Sequence, residues 1–330
     1  MNVTISSLLS QKFSTAMFRN RVRACSRISI RLSLILFLVF TPWIFFSSHA
    51  DSQRRVVVIT STDSSFQQQA AARIRQNLNE NDINVTIIPA DDVPFLMHDS
   101  KTVYVAIGEY AIKTLNEFDE NAIVLRLNNR RIPDINYTSI QSDLITAQSA
   151  CRHLQLIKAV NPRWMTVGVL SSIDSADTTA ELTRCAIRFN MDLQLYAITD
   201  EKDLQKTLET AVENNKVLLA IVDPLVYNSR TVKNILLTSY RHRKPVIGYS
   251  ESFVQAGAVA AIFTSPQTAG DDAARIISDF FDNNWQFTRN TYIPSEFTVS
   301  TNTQVATSLD INLPAIDAIL QSIRLMEMKR

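Results

Sequence analysis

From Tyr249 to Phe253 the chain reads YSESF, which sets a phenol, two hydroxyls, a carboxylate and a benzyl ring in consecutive positions. This run follows Pro245–Gly248, a short apolar stretch ended by glycine that reads as a buried strand stopping at a turn. Ala258–Phe263 is another buried apolar run, so Lys244–Asp272 reads as one wall of a ligand cleft. In an open α/β sheet, ligands sit in the crevice outside the carboxyl ends of the strands. Applied to each expected strand exit, that rule collects Ser61, Thr62, Gly108, Glu109, Tyr110 and Asn128 from the first part of the body. From the second part it collects Ser171, Ser172, Asp223, Tyr249, Ser250, Glu251 and Phe253. Hydroxyls and free N–H groups at helix starts suit a carboxylate or other anionic oxygen. Tyr110, Tyr249 and Phe253 could stack on a planar moiety, and Glu251 or Asp223 could receive an ammonium group. The set suits an amino acid-like or other small polar or aromatic solute. Each member also has a plainer role: Ser and Asp as helix caps, Asp223-Pro224 as a turn, and the rings as packing between lobes.

Catalytic and cofactor chemistry finds little footing. There is no GxSxG elbow, HExxH or CxxC. The five glycines (Gly108, Gly168, Gly248, Gly257, Gly270) are too far apart for a phosphate-cradling loop, so no cofactor is expected. Among the histidines, His49 falls in the N-terminal segment, His98 and His242 in polar loops, and His153 on a helix near its apolar stripe. No two have metal-ligand spacing, and none is at a strand exit where a hydrolase would need one. An enzyme is therefore not expected.

The elements that must position the cleft follow a βαβ rhythm. Arg55–Thr60, Thr102–Ile107 and Ala122–Leu127 read as buried strands, and Ile83–Ile88 as a peripheral one. Phe66, Ala70, Ile74 and Leu78 mark one face of a helix between the first two. Asn128–Gln141 is polar, carries Pro133 and breaks the rhythm, so it reads as a crossing between lobes. A helix follows from about Asp143 to Val160. Met165–Leu170 and Val217–Val222 restart the buried strands, Leu193–Ile198 is peripheral, and a helix runs through Ala274, Ile277 and Phe280. Strands and helices alternating at this spacing imply an α/β protein with parallel sheets. The expected division is a first lobe over 51–130 completed by a later crossing segment, a hinge over 131–142, a second lobe over 143–290, and a return crossing with closing helices over 291–330.

The charge divides the chain differently. Residues 1–50 hold six basic residues (Lys12, Arg19, Arg21, Arg23, Arg27, Arg31) and no acidic one, so the rest is formally −5 although the whole is +1. A mildly acidic body argues against a nucleic-acid partner. Leu32–Phe46 is an apolar block behind the arginines, and Ser48-His49-Ala50 places small residues where signal peptidase cuts. Residues 1–50 thus read as a signal peptide cleaved after Ala50, with Met17 as an alternative start. An uncleaved N-terminal anchor is the other reading, although the apolar block is shorter than the ~20 residues a spanning helix needs. Cys25 leaves with this segment. Cys151 and Cys185 face inward on helices in an oxidising compartment; two buried thiols are the expected state, and a disulfide joining the helices is the alternative. Arg126, Arg130 and Arg131 read as a solvated hinge flank, or as groups steering an anion into the cleft.

Three stretches carry a family resemblance: Lys244–Asp272, LLAIVDPLVY (Leu218–Tyr227) and TNTQVATSLDINLPAIDAIL (Thr301–Leu320), the last through Asn302, Ala306, Leu309, Ile311 and Pro314. Over roughly 140–320 the chain resembles the ABC-transporter substrate-binding proteins of the type I periplasmic fold, closest to the tryptophan-binding-like, largely uncharacterised group. The resemblance implies two Rossmann-like lobes joined by a hinge. It implies a periplasmic protein that captures a small-molecule ligand between them and delivers it to an ABC permease. The alternatives are a sensor whose closed form docks on another inner-membrane receptor or signalling enzyme, and an interaction protein with a degenerate cleft.

Overall fold

The computed structural model describes residues 54–61, 64–95, 101–118, 121–130, 140–294 and 296–328, all within one compact unit. The expected signal peptide, its cleavage site, Thr62, His98 and Arg131 lie outside the described residues.

Two six-stranded sheets organise the chain. The first contains β1 (Arg55–Thr60), β2 (Asn84–Pro89), β3 (Thr102–Ile107), β4 (Ile123–Asn128), β5 (Gln141–Ile145) and β11 (Thr291–Tyr292), in the order β11-β5-β4-β3-β1-β2, all parallel. The second contains β6 (Thr166–Ser171), β7 (Asp192–Ala197), β8 (Val217–Leu219), β9 (Val246–Gly248), β10 (Ala260–Phe263) and β12 (Thr298–Thr301), in the order β12-β10-β9-β8-β6-β7. Only its edge strand β12 runs antiparallel, against β10. β3 is buried at every position and β1 at all but its first, as strands covered on both faces must be. The peripheral strands expected at 83–88 and 193–198 are the edges β2 and β7.

In the first lobe, α1 (Ser65–Asn79) and α8 (Pro266–Asp282) cover one face of the sheet, and α2 (Glu109–Phe118) the other. Ser64 caps α1 by accepting from Gln67 N, while Ser265 caps α8 by accepting from Thr268 N, with Pro266 in its first turn. The two helices pack closely at Gly270, where a Cβ would come within 2.9 Å of the Ala70 carbonyl oxygen and 2.6 Å of Arg73 Cβ. The second lobe has its own core, built on α3 (Ala150–Val160), α4 (Ala176–Phe189), α5 (Leu204–Asn214), α6 (Val232–Arg241) and α10 (Ile316–Met328), with short α7 (Glu251–Ala256) and α9 (Thr303–Ser308). Cys151 on α3 and Cys185 on α4 form a disulfide, with Cα atoms 5.2 Å apart. The expected pair of thiols is therefore replaced by its alternative. Among the described residues, no helix is long and apolar enough to cross a membrane.

The sheets divide the residues differently from the expected spans. Gln141–Ile145 is not the start of a helix but strand β5 of the first sheet, paired with β4. Its Asp143 takes both Nε and Nη2 of Arg126, at 2.6 and 2.9 Å. Arg126 is only 3% exposed, so it is neither a solvated flank nor a steering group. α8 and β11, expected in the second lobe and the return crossing, pack into the first. Among the described residues the chain passes between the two sheets three times, after β5, after β10 and between β11 and β12, and the first passage falls after the 131–142 segment expected for it. An amphipathic helix such as α8 shows which face it buries but not which sheet covers it, so its spacing could not reveal the exchange.

Candidate functional site

The carboxyl ends of β3, β4, β9 and β10 open onto one cavity of about 610 Å³, with the passages between lobes as its floor. The first lobe contributes the start of α1 (Ser64 to Gln67), the end of β3 (Ile107, Gly108) and the end of β4 (Leu127, Asn128, Asn129). Gly108 takes φ +88°, a region open to glycine, and α2 begins immediately after it. The second lobe contributes Val222 and the run Tyr249–Ser252. Thr146, Gln148, His153, Thr264 and Thr298 close the floor.

The expected site residues separate into two groups. Gly108, Asn128, Tyr249, Ser250 and Glu251 line the cavity. Phe253 does not line it, but packs against Tyr249 with ring centroids 4.7 Å apart, and Tyr227 meets both rings edge-on. Burial first, and the charge of Asp223 second, push the Tyr249 phenol up to about 12. It therefore stays protonated as an aromatic wall with a donor at its tip.

The others are engaged elsewhere. Asp223 is 1% exposed and accepts from Ser172 N (2.6 Å), Ser172 Oγ (3.0 Å), Ser175 Oγ (2.6 Å), Leu225 N (3.1 Å) and Val226 N (3.1 Å). A carboxylate with that many protein donors ties together the exits of β6 and β8 and has little left for a ligand ammonium. Ser172 caps a short 3₁₀ turn, and Ser171 is buried at the end of β6. Glu109 pairs with Arg130 at 2.7 Å and Lys113 at 2.9 Å, and these two hydrogen-bonded cations, Arg130 foremost, hold its carboxyl below the usual range. Tyr110 is 57% exposed and donates to Asp91 at 2.6 Å. Ser61 N donates to Gln67 Oε1 at 2.7 Å, at the edge of the cavity wall.

Sequence reasoning missed the floor. Gln148 Nε2 donates to Thr264 Oγ1 at 2.6 Å and lies 3.4 Å from the Glu296 carbonyl, while Thr264 Oγ1 donates to the Thr146 carbonyl at 2.6 Å. These four residues join all three passages. Arg152 extends the network: Nη1 donates to Gln148 Oε1 at 2.7 Å, Nε to Glu327 at 2.6 Å, and its guanidinium lies 4.7 Å from the Phe297 ring centroid. His153, in the first turn of α3, is 6% exposed, and desolvation pushes its imidazole down to about 4. Its Nδ1 has no hydrogen-bond partner in the protein, nor has Asn128 Nδ2. Glu251 is then the one charged side chain at neutral pH among the described residues lining the cavity. A signal was present: a histidine on the buried stripe of a helix next to a passage between lobes.

Two mostly parallel sheets that aim their carboxyl edges at a shared cavity define the type I periplasmic-binding-like fold, and solved structures bear this out. A Streptococcus pneumonia ABC domain in complex with L-Trp shares 14% identity at a TM-score of 0.60, covering 82% of this chain and 98% of its own. A Vibrio cholerae conserved domain protein shares 14% at 0.61, covering 82% and 98%. The ligand-free, open form of a Clostridium difficile substrate-binding protein with adhesive properties shares 14% at 0.65, covering 79% and 96%. Among curated proteins nothing matches. The family model for ABC transporter substrate binding proteins matches residues 127–319, more than half of the chain. The chain belongs to that family.

Proposed function

We propose that this protein captures a small polar or aromatic solute, amino acid-like compounds among them, and presents it to an ABC permease outside the cytoplasm. The cavity carries the reading: both lobes line it, and all three passages meet at its floor. A ligand touching both walls gains more contact when the lobes approach, so binding favours the closed form. That form is then what a membrane partner reads. Tyr249, buttressed by Phe253, offers a ring to stack against. Ser64 and Ser265 stand at the starts of α1 and α8, where backbone N–H groups favour an anionic oxygen. Ser250 and Glu251 complete the second wall, and Glu251 is placed to meet a ligand ammonium. No covalent step is part of this reading. Export through a signal peptide cleaved after Ala50 agrees with the Cys151–Cys185 disulfide, since disulfides persist in oxidising compartments.

The test is a thermal-shift screen of the purified protein against amino acids, purines, sugars and small anions. A ligand at a hundred times its dissociation constant stabilises the fold by ~2.7 kcal/mol, a shift of several degrees. The expected result is a hit lost in Tyr249→Ala. A well-folded protein that stays flat across all classes would favour a docking protein with an unused cleft.

A further inference from the structure

The second lobe carries another concavity, of about 680 Å³, at the opposite edge of its sheet from the solute cavity. It lies where β6, β8 and β9 begin, and no residue lines both cavities. Three loops bring Arg163, Lys216 and the run His242–Lys244 to its wall, and a fourth brings Asp310. Two lysines and two arginines therefore meet one carboxylate, on a body that is formally −5. Asp310 is taken by Arg243, whose guanidinium donates to it. The turns that place this pair are unusual. Lys244 N donates to the Ser239 carbonyl at 2.8 Å and Ile311 N to the Ala306 carbonyl at 2.9 Å, closing α6 and α9 through Arg243 at φ +55° and Asp310 at φ +58°. Glycine or asparagine ordinarily takes that left-handed position, because a Cβ is strained there. Lys244 Nζ donates to the Asn215 carbonyl at 2.8 Å, a neutral partner that leaves its charge unbalanced. Arg163 and Lys216 are exposed, and among the described residues their side chains have neither a hydrogen bond nor an ion pair.

We propose that this concavity is a second binding site, for an anion that carries a terminal phosphate. Like charges gathered around a concave wall focus their field on the space between them. A terminal phosphate brings close to two negative charges at neutral pH and three strong acceptor oxygens, which matches the unbalanced charges of Arg163, Lys216 and Lys244. A lone carboxylate balances only one of them. The Arg163 guanidinium suits two phosphate oxygens at once, and the lysines serve as point charges. The Arg243–Asp310 pair shapes the wall and adds no net charge. The ends of α3, α5, α6 and α9 also lie at this edge, and cations near helix C-termini are favourable in their own right. That effect acts on each cation separately and is met as well on an open surface, so it does not account for their convergence on one cavity. The phosphate can belong to a soluble compound or to a lipid headgroup, since both present the same chemistry.

This inference does not depend on what fills the cleft between the lobes. Isothermal titration at low ionic strength follows inorganic phosphate and pyrophosphate, with acetate as a singly charged control, in the wild type and in the double variant Arg163→Gln, Lys216→Gln. A second double variant, Lys206→Gln, Lys233→Gln, makes the same change of charge at exposed positions on α5 and α6 outside the cavity. Flotation with phosphatidate vesicles, against phosphatidylcholine alone, asks whether a lipid carries the phosphate. The expected result is that pyrophosphate or phosphatidate binds, pyrophosphate at least about tenfold tighter than acetate where the soluble anion is the ligand. The cavity variant weakens that binding about tenfold or more, and the helix variant changes it by less than about twofold. Binding of the soluble anion alone names a free phosphate compound, and binding to vesicles alone names a headgroup; either upholds the site. No binding in any arm overturns it. An equal loss in both variants also overturns it, because diffuse surface charge is then enough. A cavity variant that melts lower yet keeps full binding assigns the cations to the helix ends and overturns the proposal too.

Discussion

Thr264→Val tests whether the floor network holds the passages between lobes together. The substitution conserves shape and removes one hydroxyl, which accepts from Gln148 Nε2 and donates to the Thr146 carbonyl, both at 2.6 Å. Thr264 and Gln148 are both buried, so water does not readily replace the lost partner. Each buried group left unpaired costs ~1–3 kcal/mol. Gln148 Nε2 keeps only its 3.4 Å approach to the Glu296 carbonyl, and the Thr146 carbonyl loses its hydroxyl donor. The expected loss is about 2–4 kcal/mol in urea unfolding, or roughly 3–7 °C in melting temperature for a chain of this size. Thr264→Ser keeps the hydroxyl and sheds a methyl, so it costs about 1 kcal/mol. The comparison isolates the hydrogen bonds from the packing. If valine falls within about 0.5 kcal/mol of the wild type, or serine costs as much as valine, the passages are not held by this network.

The Cys151–Cys185 disulfide closes a loop of sequence separation 34, worth about 4 kcal/mol by chain entropy; calorimetry with and without reductant should show a fall of several degrees, and an unchanged midpoint under reduction would mean the link contributes nothing. His153 is held near 4 by burial, against about 6.5 in an unfolded chain. Between those values the unfolded state binds the extra proton, so stability is full above about pH 6.5 and declines toward pH 4, by on the order of 3 kcal/mol. Unfolding curves over that range should be flatter in His153→Leu, and identical slopes in both proteins would contradict the assignment.

Local structure and the positions of the strand exits were legible in the amino-acid order alone. The continuous apolar runs VVVI and TVYVAI require strands covered on both faces, and β1 and β3 are such strands. Glycine at 108 and the YSESF run after Gly248 marked strand exits, and Gly108, Tyr249, Ser250 and Glu251 line the cavity. Strand exits reveal themselves because the pattern is local: apolar period, then breaker, then polar groups.

Tertiary structure decided what lies far apart along the chain. Asp223 and Glu109 looked equivalent to Glu251 as strand-exit carboxylates. One accepts from two serine hydroxyls and three backbone N–H groups, the other pairs with Arg130 and Lys113, and of the three only Glu251 lines the cavity. The short polar strand β5 gave no apolar run, because its Asp143 is neutralised by Arg126 from the neighbouring strand. α8 carries an ordinary amphipathic pattern, and only the close approach at Gly270 to α1, nearly two hundred residues earlier, assigns it to the first lobe. His153 and Gln148 acquired their place in the site the same way, on a floor assembled from three separate passages of the chain. Hydrophobic periodicity tells a residue to be buried; which neighbours bury it depends on how the lobes exchange their elements, and so does whether a buried polar atom finds a partner.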